Sequence, residues 1–332
     1  MKQKRMGRTG LTVSEVCLGT MTFGNQCDEV TSHAIMDLAA AKGVSFIDVA
    51  DMYPIPTKLE TVGRTEEYVG NWLKGRRDDY VLATKCSFPT GPRPNDKGNG
   101  RRHVIRALED SLRRLQTDYI DLFYIHHWDE GTPIEETLEA FDTLRRDGKI
   151  RYGGCSNVTG YQLLTALWTS DKRGLARFDA VQPRYNLLYR ELERELFAGA
   201  SEHGVGIVAY NPLAGGVLTG KYAPGGAMPK DGRFTLGISG ETYRARYFQD
   251  AQLEIVKNLA DDVQSRGKSI THVSLRWVLD RPEITSAILG ATSVAQFEDS
   301  IGGVDVVLDE HDKAACDSAW WAVPRRPPQE ER

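Results

Sequence analysis

The chain of 332 residues is 40% hydrophobic and 27% charged, a globular balance that can bury a core large enough to offset chain entropy. A net charge of -4 with acids and bases interleaved leaves no basic stripe for a phosphate backbone, so nucleic acid is not an expected partner. Five cysteines, Cys17, Cys27, Cys86, Cys155 and Cys316, have no paired spacing and fit neither a disulfide framework nor a four-cysteine zinc site, so no metal and a reducing cytoplasm are expected.

At the start of the chain, residues 1–10 carry Lys and Arg without a following apolar run of signal length, and no eighteen-residue apolar run occurs anywhere. Neither export by that route nor a membrane partner is expected. Residues 13–20 read as a buried strand and 30–42 as an amphipathic helix, followed by strand 45–50, helix 66–74, strand 80–86, helix 103–115 and strand 120–126. The alternation continues with helix 133–146, strands 152–157 and 180–185, helix 191–203, and strands 206–210 and 286–290. Eight strands with intervening helices make an α/β chain that can close into a (β/α)₈ barrel, which removes both sheet edges. Residues 1–323 are read as one domain and 324–332 as a fraying tail. The Gly- and Pro-rich stretches 54–64, 87–100 and 222–240 are the expected long active-site loops.

Four polar residues interrupt or end strands: Asp48 within 45–50, Tyr53 just past it, Lys85 within 80–86, and His126 after Ile125. A buried Asp and Lys are least costly as an ion pair. A lysine beside a phenol is expected to lower the phenol's pKa, and an imidazole can orient the same oxygen by hydrogen bonding. Singly, a strand-end Lys reads as a solvated rim residue and a Tyr after a strand as packing; four such groups at three successive strand ends are harder to reconcile with that. Alternation sends His126 and His127 to opposite sides without saying which faces the pocket.

The segments FIDVADMY (46–53), VLATKC (81–86), YIDLFYIH (119–126), GGCSN (153–157), VQPRYN (181–186), YNPLAGGVLTGK (210–221) and LGATSVAQFEDS (289–300) together resemble the aldo-keto reductase superfamily over nearly the whole length. Residues 52–73 resemble the bacterial, Tas-like or potassium-channel β-subunit-like branch more closely than the small-monomer branch. The resemblance implies a TIM barrel with an N-terminal β-hairpin and a catalytic tetrad of Asp48, Tyr53, Lys85 and His126, with Tyr53 as general acid in reduction. It chooses His126 over His127.

It further implies a nicotinamide site. Ser156, Asn157 and Gln182 would hold the carboxamide and Tyr210 would stack on the ring, with Thr20 and Met21 beneath the cofactor. Asn211, Pro212, Leu213, Gly215 and Lys221 belong to a segment similar to the family's pyrophosphate loop, and Arg233 is a further phosphate candidate. Gly290, Thr292, Gln296, Asp299 and Ser300 match the adenosine end. Amides complement a carboxamide, glycines admit close backbone approach, and cations suit phosphate. The alternative for Asn157 and Gln182 is that they satisfy loop backbone groups. Thr292, Asp299 and Ser300 depart from the family's usual residues, so NADP(H) is the first choice while NAD(H) stays open. Val49 and Pro54 also depart, leaving the Asp48–Tyr53 spacing intact.

The expected function is reduction of an aldehyde or ketone to an alcohol, with bulky ketones and keto-sugars among the candidates. Trp128, beside Tyr53 and His126, is the expected substrate contact. Alternatives are a cofactor-binding regulatory subunit and a Schiff-base enzyme using Lys85. A homo-oligomer is left open.

Overall fold

The computed structural model describes residues 1–228 and 232–324; beyond Pro324 the tail expectation falls outside them. Strands β1 (Gln3–Arg5) and β2 (Thr12–Ser14) form an antiparallel hairpin. β3 (Val16–Gly19), β4 (Phe46–Asp48), β5 (Val81–Cys86), β6 (Ile120–Ile125), β7 (Ile150–Ser156), β8 (Phe178–Gln182), β9 (Gly206–Tyr210) and β10 (Ile284–Gly290) close a barrel in chain order, with β10 returning to β3. Every barrel pair is parallel. The outer helices are α1 (Glu29–Ala41), α2 (Arg64–Leu73), α3 (Arg101–Leu115), α4 (Ile134–Arg146), α5 (Gly160–Arg173), α6 (Leu196–Glu202), α7 (Gly237–Tyr247), α8 (Asp250–Ser265), α9 (Ile270–Leu279), α10 (Val294–Ile301) and α11 (Glu310–Ala322).

The expected barrel and hairpin are present, with three local differences. The strand expected at 13–20 is two: the chain pairs with β1 through Ser14, turns at Glu15, and enters the barrel at Val16. The helix expected at 191–203 breaks at Glu195, whose backbone lies at φ -138 and ψ -57, into a 3-10 turn (Glu191–Arg194) and α6. The loop expected at 222–240 contains a 3-10 turn at Arg233–Thr235 and the start of α7.

Helix ends follow local chemistry. α5 opens on a capping box of Thr159 with Gln162 and closes on Gly174 in the left-handed region, which satisfies terminal backbone groups without a tertiary partner. Two apolar clusters result. The larger fills the shell between strands and helices. The smaller joins Phe46, Ala83, Leu122, Ala180 and Val208 to Met6 and Val13 of the hairpin region, so the hairpin plugs the end of the barrel away from the long loops. A Cβ at Gly206 would lie 2.4 Å from the Met6 sulfur; glycine is needed there for the plug to seat.

Candidate active site

Period-two alternation decides which side chains reach the open end. Above the apolar inward layer of Phe46, Ala83, Leu122, Ala180 and Val208, the next inward residues are Asp48, Lys85, Tyr124, Gln182 and Tyr210, and one further step along β6 reaches His126. Each strand therefore changes from apolar to polar as it climbs.

Asp48 is 3% exposed and Lys85 0%. Lys85 Nζ donates to Asp48 Oδ1 at 2.5 Å and to the Val49 carbonyl at 2.9 Å, while Gln182 Nε2 donates to Asp48 Oδ2 at 2.8 Å. Burying two charges costs several kcal/mol per ion, and here both carboxylate oxygens are bonded in return. The Tyr53 ring centroid lies 5.1 Å from Lys85 Nζ. Tyr53 meets His126 edge-on, with centroids 5.9 Å apart. The four sequence-selected residues thus converge, with Asp48, Tyr53 and His126 on the wall of a cavity of about 500 Å³ and Lys85 behind it.

The electrostatics correct one expectation. Burial raises the Tyr53 pKa above the ordinary tyrosine value, and the opposing effect of Lys85 does not cancel it. The phenol is held in its protonated form. Burial, then the positive Lys85 and then His127 push His126 well below the usual histidine value, so the imidazole is neutral at neutral pH. Burial acts to lower Lys85, but Asp48 and Tyr53 outweigh it and its pKa is raised; burial raises Asp48 despite the lysine.

Ser156, Asn157, Gln182 and Tyr210 line the same cavity, but they are also bonded to one another and to the frame. Ser156 Oγ donates to the Gln182 carbonyl at 2.8 Å, Asn157 Nδ2 to the His126 carbonyl at 2.9 Å, and Tyr210 Oη to Asn157 Oδ1 at 2.7 Å. Asn157 sits at φ 54, a left-handed backbone that Asn tolerates better than most residues. Asn157 therefore fixes the backbone beside His126, and Gln182 spends its amide on the Asp48 side chain, while each keeps a face on the cavity.

Thr20, Met21, Asn211, Arg233 and Gly290 also line the main cavity. A second cavity of about 150 Å³ shares Asn211, Arg233 and Gly290 with it and brings in Pro212, Leu213, Gly215, Lys221, Thr292, Gln296 and Ser300. Gly215 and Gly216 take φ 66 and 95 there, and a Cβ on Gly215 would lie 2.9 Å from the Tyr243 ring. No carboxylate stands among the described lining residues of this second cavity, whereas Lys221 and Arg233 do. A cradle of left-handed glycines with two cations suits a pyrophosphate. Ser293 caps α10 beside it, and Gln296 Oε1 accepts from the Thr292 amide at 2.7 Å and its hydroxyl at 2.9 Å.

Besides Lys85, which lies behind the main cavity, two sequence-selected residues are not on these walls. Asp299 lies on α10 facing α9, with its carbonyl 2.7 Å and its carboxylate 3.6 Å from His272 Nε2. Trp128 packs against the shell cluster, because the chain turns away after His127, whose Nδ1 lies 2.6 Å from the Trp128 carbonyl. The residues that do face the catalytic end include Ile55, Phe88 and Ser239, which lie in the expected active-site loops, and Met52, Thr242, Tyr243 and Arg246, which sequence reasoning passed over, with His127 at the rim. Phe88 lies 4.9 Å from the His126 ring and 4.7 Å from the His127 ring.

A parallel barrel that opens on a phenol, an imidazole and a buried lysine–aspartate pair, next to a cation-lined glycine cradle, has the construction of an NAD(P)H-dependent oxidoreductase acting on carbonyl groups. The chain belongs to the aldo/keto reductase family, whose model matches residues 15–320. It is 38% identical to Protein tas of Escherichia coli (strain K12), over 93% of this chain and 95% of that protein. The Uncharacterized oxidoreductase YrpG of Bacillus subtilis (strain 168) is also 38% identical, with 93% of each chain covered. A Probable voltage-gated potassium channel subunit beta of Arabidopsis thaliana is 36% identical, with 92% of each covered.

Proposed function

We propose that the chain reduces an aldehyde or ketone with NADP(H) as preferred cofactor, Tyr53 donating the proton to the carbonyl oxygen. The observation that carries this reading is the protonated phenol of Tyr53 on the cavity wall, its ring beside the buried Lys85–Asp48 pair. A nicotinamide held in the cavity would supply the hydride chemistry, and protonation by Tyr53 would mean that an alkoxide need never form free. As the proton leaves Tyr53, the ammonium of Lys85 stabilises the phenolate, and Asp48 keeps that ammonium charged. Gln182 fixes the second oxygen of Asp48. Neutral His126 can present an N–H to the carbonyl oxygen and select its orientation. In the oxidising direction the phenolate takes the proton back.

In the same reading Ser156, Asn157 and Gln182 would hold the carboxamide with the groups they retain, with Tyr210, Thr20 and Met21 as the further nicotinamide contacts. The backbone of 211–215 with Lys221 and Arg233 would hold the phosphates, and Gly290, Thr292, Gln296 and Ser300 the adenosine end; Asp299 is left out. The support for NADP(H) over NAD(H) is membership of the aldo/keto reductase family, which in general uses it; Lys221 and Arg233 would stand at the pyrophosphate, which both cofactors carry. Met52, Ile55 and Phe88, rather than Trp128, form the apolar wall for substrate. All five cysteines are buried free thiols, which suits a reducing cytoplasm. The test is consumption of NADPH and NADH over a panel of aldehydes, aromatic ketones and keto-sugars, with Tyr53→Phe as control. Normal turnover by Tyr53→Phe would remove the proposed proton donor.

A further inference from the structure

Helix α7 turns Ser239, Thr242, Tyr243 and Arg246 toward the main cavity. Their spacing of three, four and seven is one face of a helix. Such a face is apolar when it packs on a core, and here it carries three hydroxyls and a guanidinium.

The two arginines near the end of α7 are used differently. Arg244 bonds the Phe234 carbonyl and lies 3.8 Å from Glu241, so it holds the helix to the segment before it. Arg246, two residues on and therefore on the other side, is half-buried and has no carboxylate in ion-pair contact among the described residues. Its charge reaches the Tyr210 and Tyr247 phenols and acts to lower both.

No other described residue of the cavity neutralises it. Asp48 is the one carboxylate among the described lining residues, and its oxygens already serve Lys85 and Gln182. Arg233 lies against Met21 at 3.5 Å and borders both cavities, whereas Arg246 borders the main one alone. The cavity is thus two-sided, with Met52, Ile55 and Phe88 as an apolar wall and a cationic, hydroxyl-bearing helix as another. A guanidinium without a counter-ion in a half-enclosed cavity is completed by a carboxylate or phosphate, which it can bind through two parallel hydrogen bonds.

We propose that Arg246, with the Ser239 hydroxyl, binds an anionic group of the substrate, so that the preferred substrates are aldehydes or ketones bearing a carboxylate or phosphate at the end remote from the carbonyl. The proposal rests on the reductase reading of the same cavity.

The experiment compares matched pairs: succinic semialdehyde with butanal, and glyceraldehyde 3-phosphate with glyceraldehyde. The native protein favours the charged member of at least one pair in kcat/KM by about tenfold or more, as one charge-assisted contact allows; which pair responds tells carboxylate from phosphate. Arg246→Gln lowers that ratio toward one through KM rather than kcat, and Arg246→Lys restores part of it. Calorimetry of succinate and inorganic phosphate with the cofactor-saturated protein reads the same site without turnover, and Arg246→Gln removes that binding. Turnover with no preference for charge, or a preference untouched by Arg246→Gln, overturns the anion site and leaves the reductase reading standing. Anion binding that depends on Arg246, with no carbonyl reduced, overturns the reductase reading instead. Absence of both overturns both.

Discussion

The strand ends and the segment from Asn211 to Tyr247 border the same cavity and are built on opposite principles. At the strand ends the charged and amide groups are already partnered: Lys85 with Asp48, Gln182 with Asp48, Asn157 with the His126 backbone and Tyr210. In the later segment Lys221 and Arg246 face cavities with no carboxylate in ion-pair contact among the described residues. Partnered groups hold a fixed geometry and fixed protonation states, as preorganised sites require. Unpartnered cations keep their interaction energy for a ligand. The difference separates a region that sets the reaction from one that selects what enters it.

The largest expected effect falls on the first region. Tyr53→Phe should lower kcat by about 10²–10⁴-fold, the usual worth of a positioned acid, while quenching of protein fluorescence by the cofactor is retained. If cofactor binding fell as far as turnover, Tyr53 would belong to binding rather than to proton transfer.

Next comes a contrast in stability. Asp48→Ala leaves Lys85 buried without its counter-ion and should cost about 3–5 kcal/mol in denaturant unfolding. Lys221→Ala, at an exposed residue without an ion-pair partner among the described residues, should change stability by no more than about 0.5 kcal/mol. Equal losses would erase the distinction between the two regions.

Lys221→Ala and Arg233→Ala should instead raise the KM for NADPH and for NADH alike by about tenfold, an effect that shrinks in high salt. An unchanged KM for both cofactors would remove these cations from the phosphate site.

The smallest effect concerns Asp51, between Asp48 and Tyr53. It is 0% exposed and neither carboxylate oxygen has a hydrogen-bond partner among the described residues. Burial, and then the charge of Glu66, raise its pKa well above the carboxylate range. The protonated form is therefore favoured on folding. Its stabilising effect is complete below the unfolded-state carboxylate pKa, and is lost as pH rises from there through the raised folded value. Asp51→Asn should leave Tm unchanged near pH 4 and raise it by about 2 °C or more above neutral pH. Melts at both pH values check the sign, and a gain confined to the acid side would show that Asp51 is charged in the fold.

Much of this site was legible before any coordinates, for a specific reason. Asp48 and Lys85 break apolar runs, and a charge within a buried strand demands a partner, so the ion pair could be anticipated from cost alone. The barrel itself was legible in the strand–helix alternation. Trp128 was singled out for its adjacency to His126; it is half-buried against the shell cluster and is not among the described lining residues of the main cavity. Arg246 was passed over because α7 begins at Gly237 and includes Gly240, poor helix formers, and its cavity face is polar, so no apolar periodicity announced it.

By itself, the sequence determined which chemical groups stand on the inward side of each strand, because alternation of side chains is a property of the extended backbone. It also determined how far along each strand the change from apolar to polar occurs. Only the tertiary structure decided which of those groups are consumed by one another and which face open space, and hence that the Tyr53 phenol keeps its proton although a lysine stands beside it. Those outcomes depend on distances between residues far apart in the chain and on how much water each group loses, and neither quantity exists until the barrel has closed.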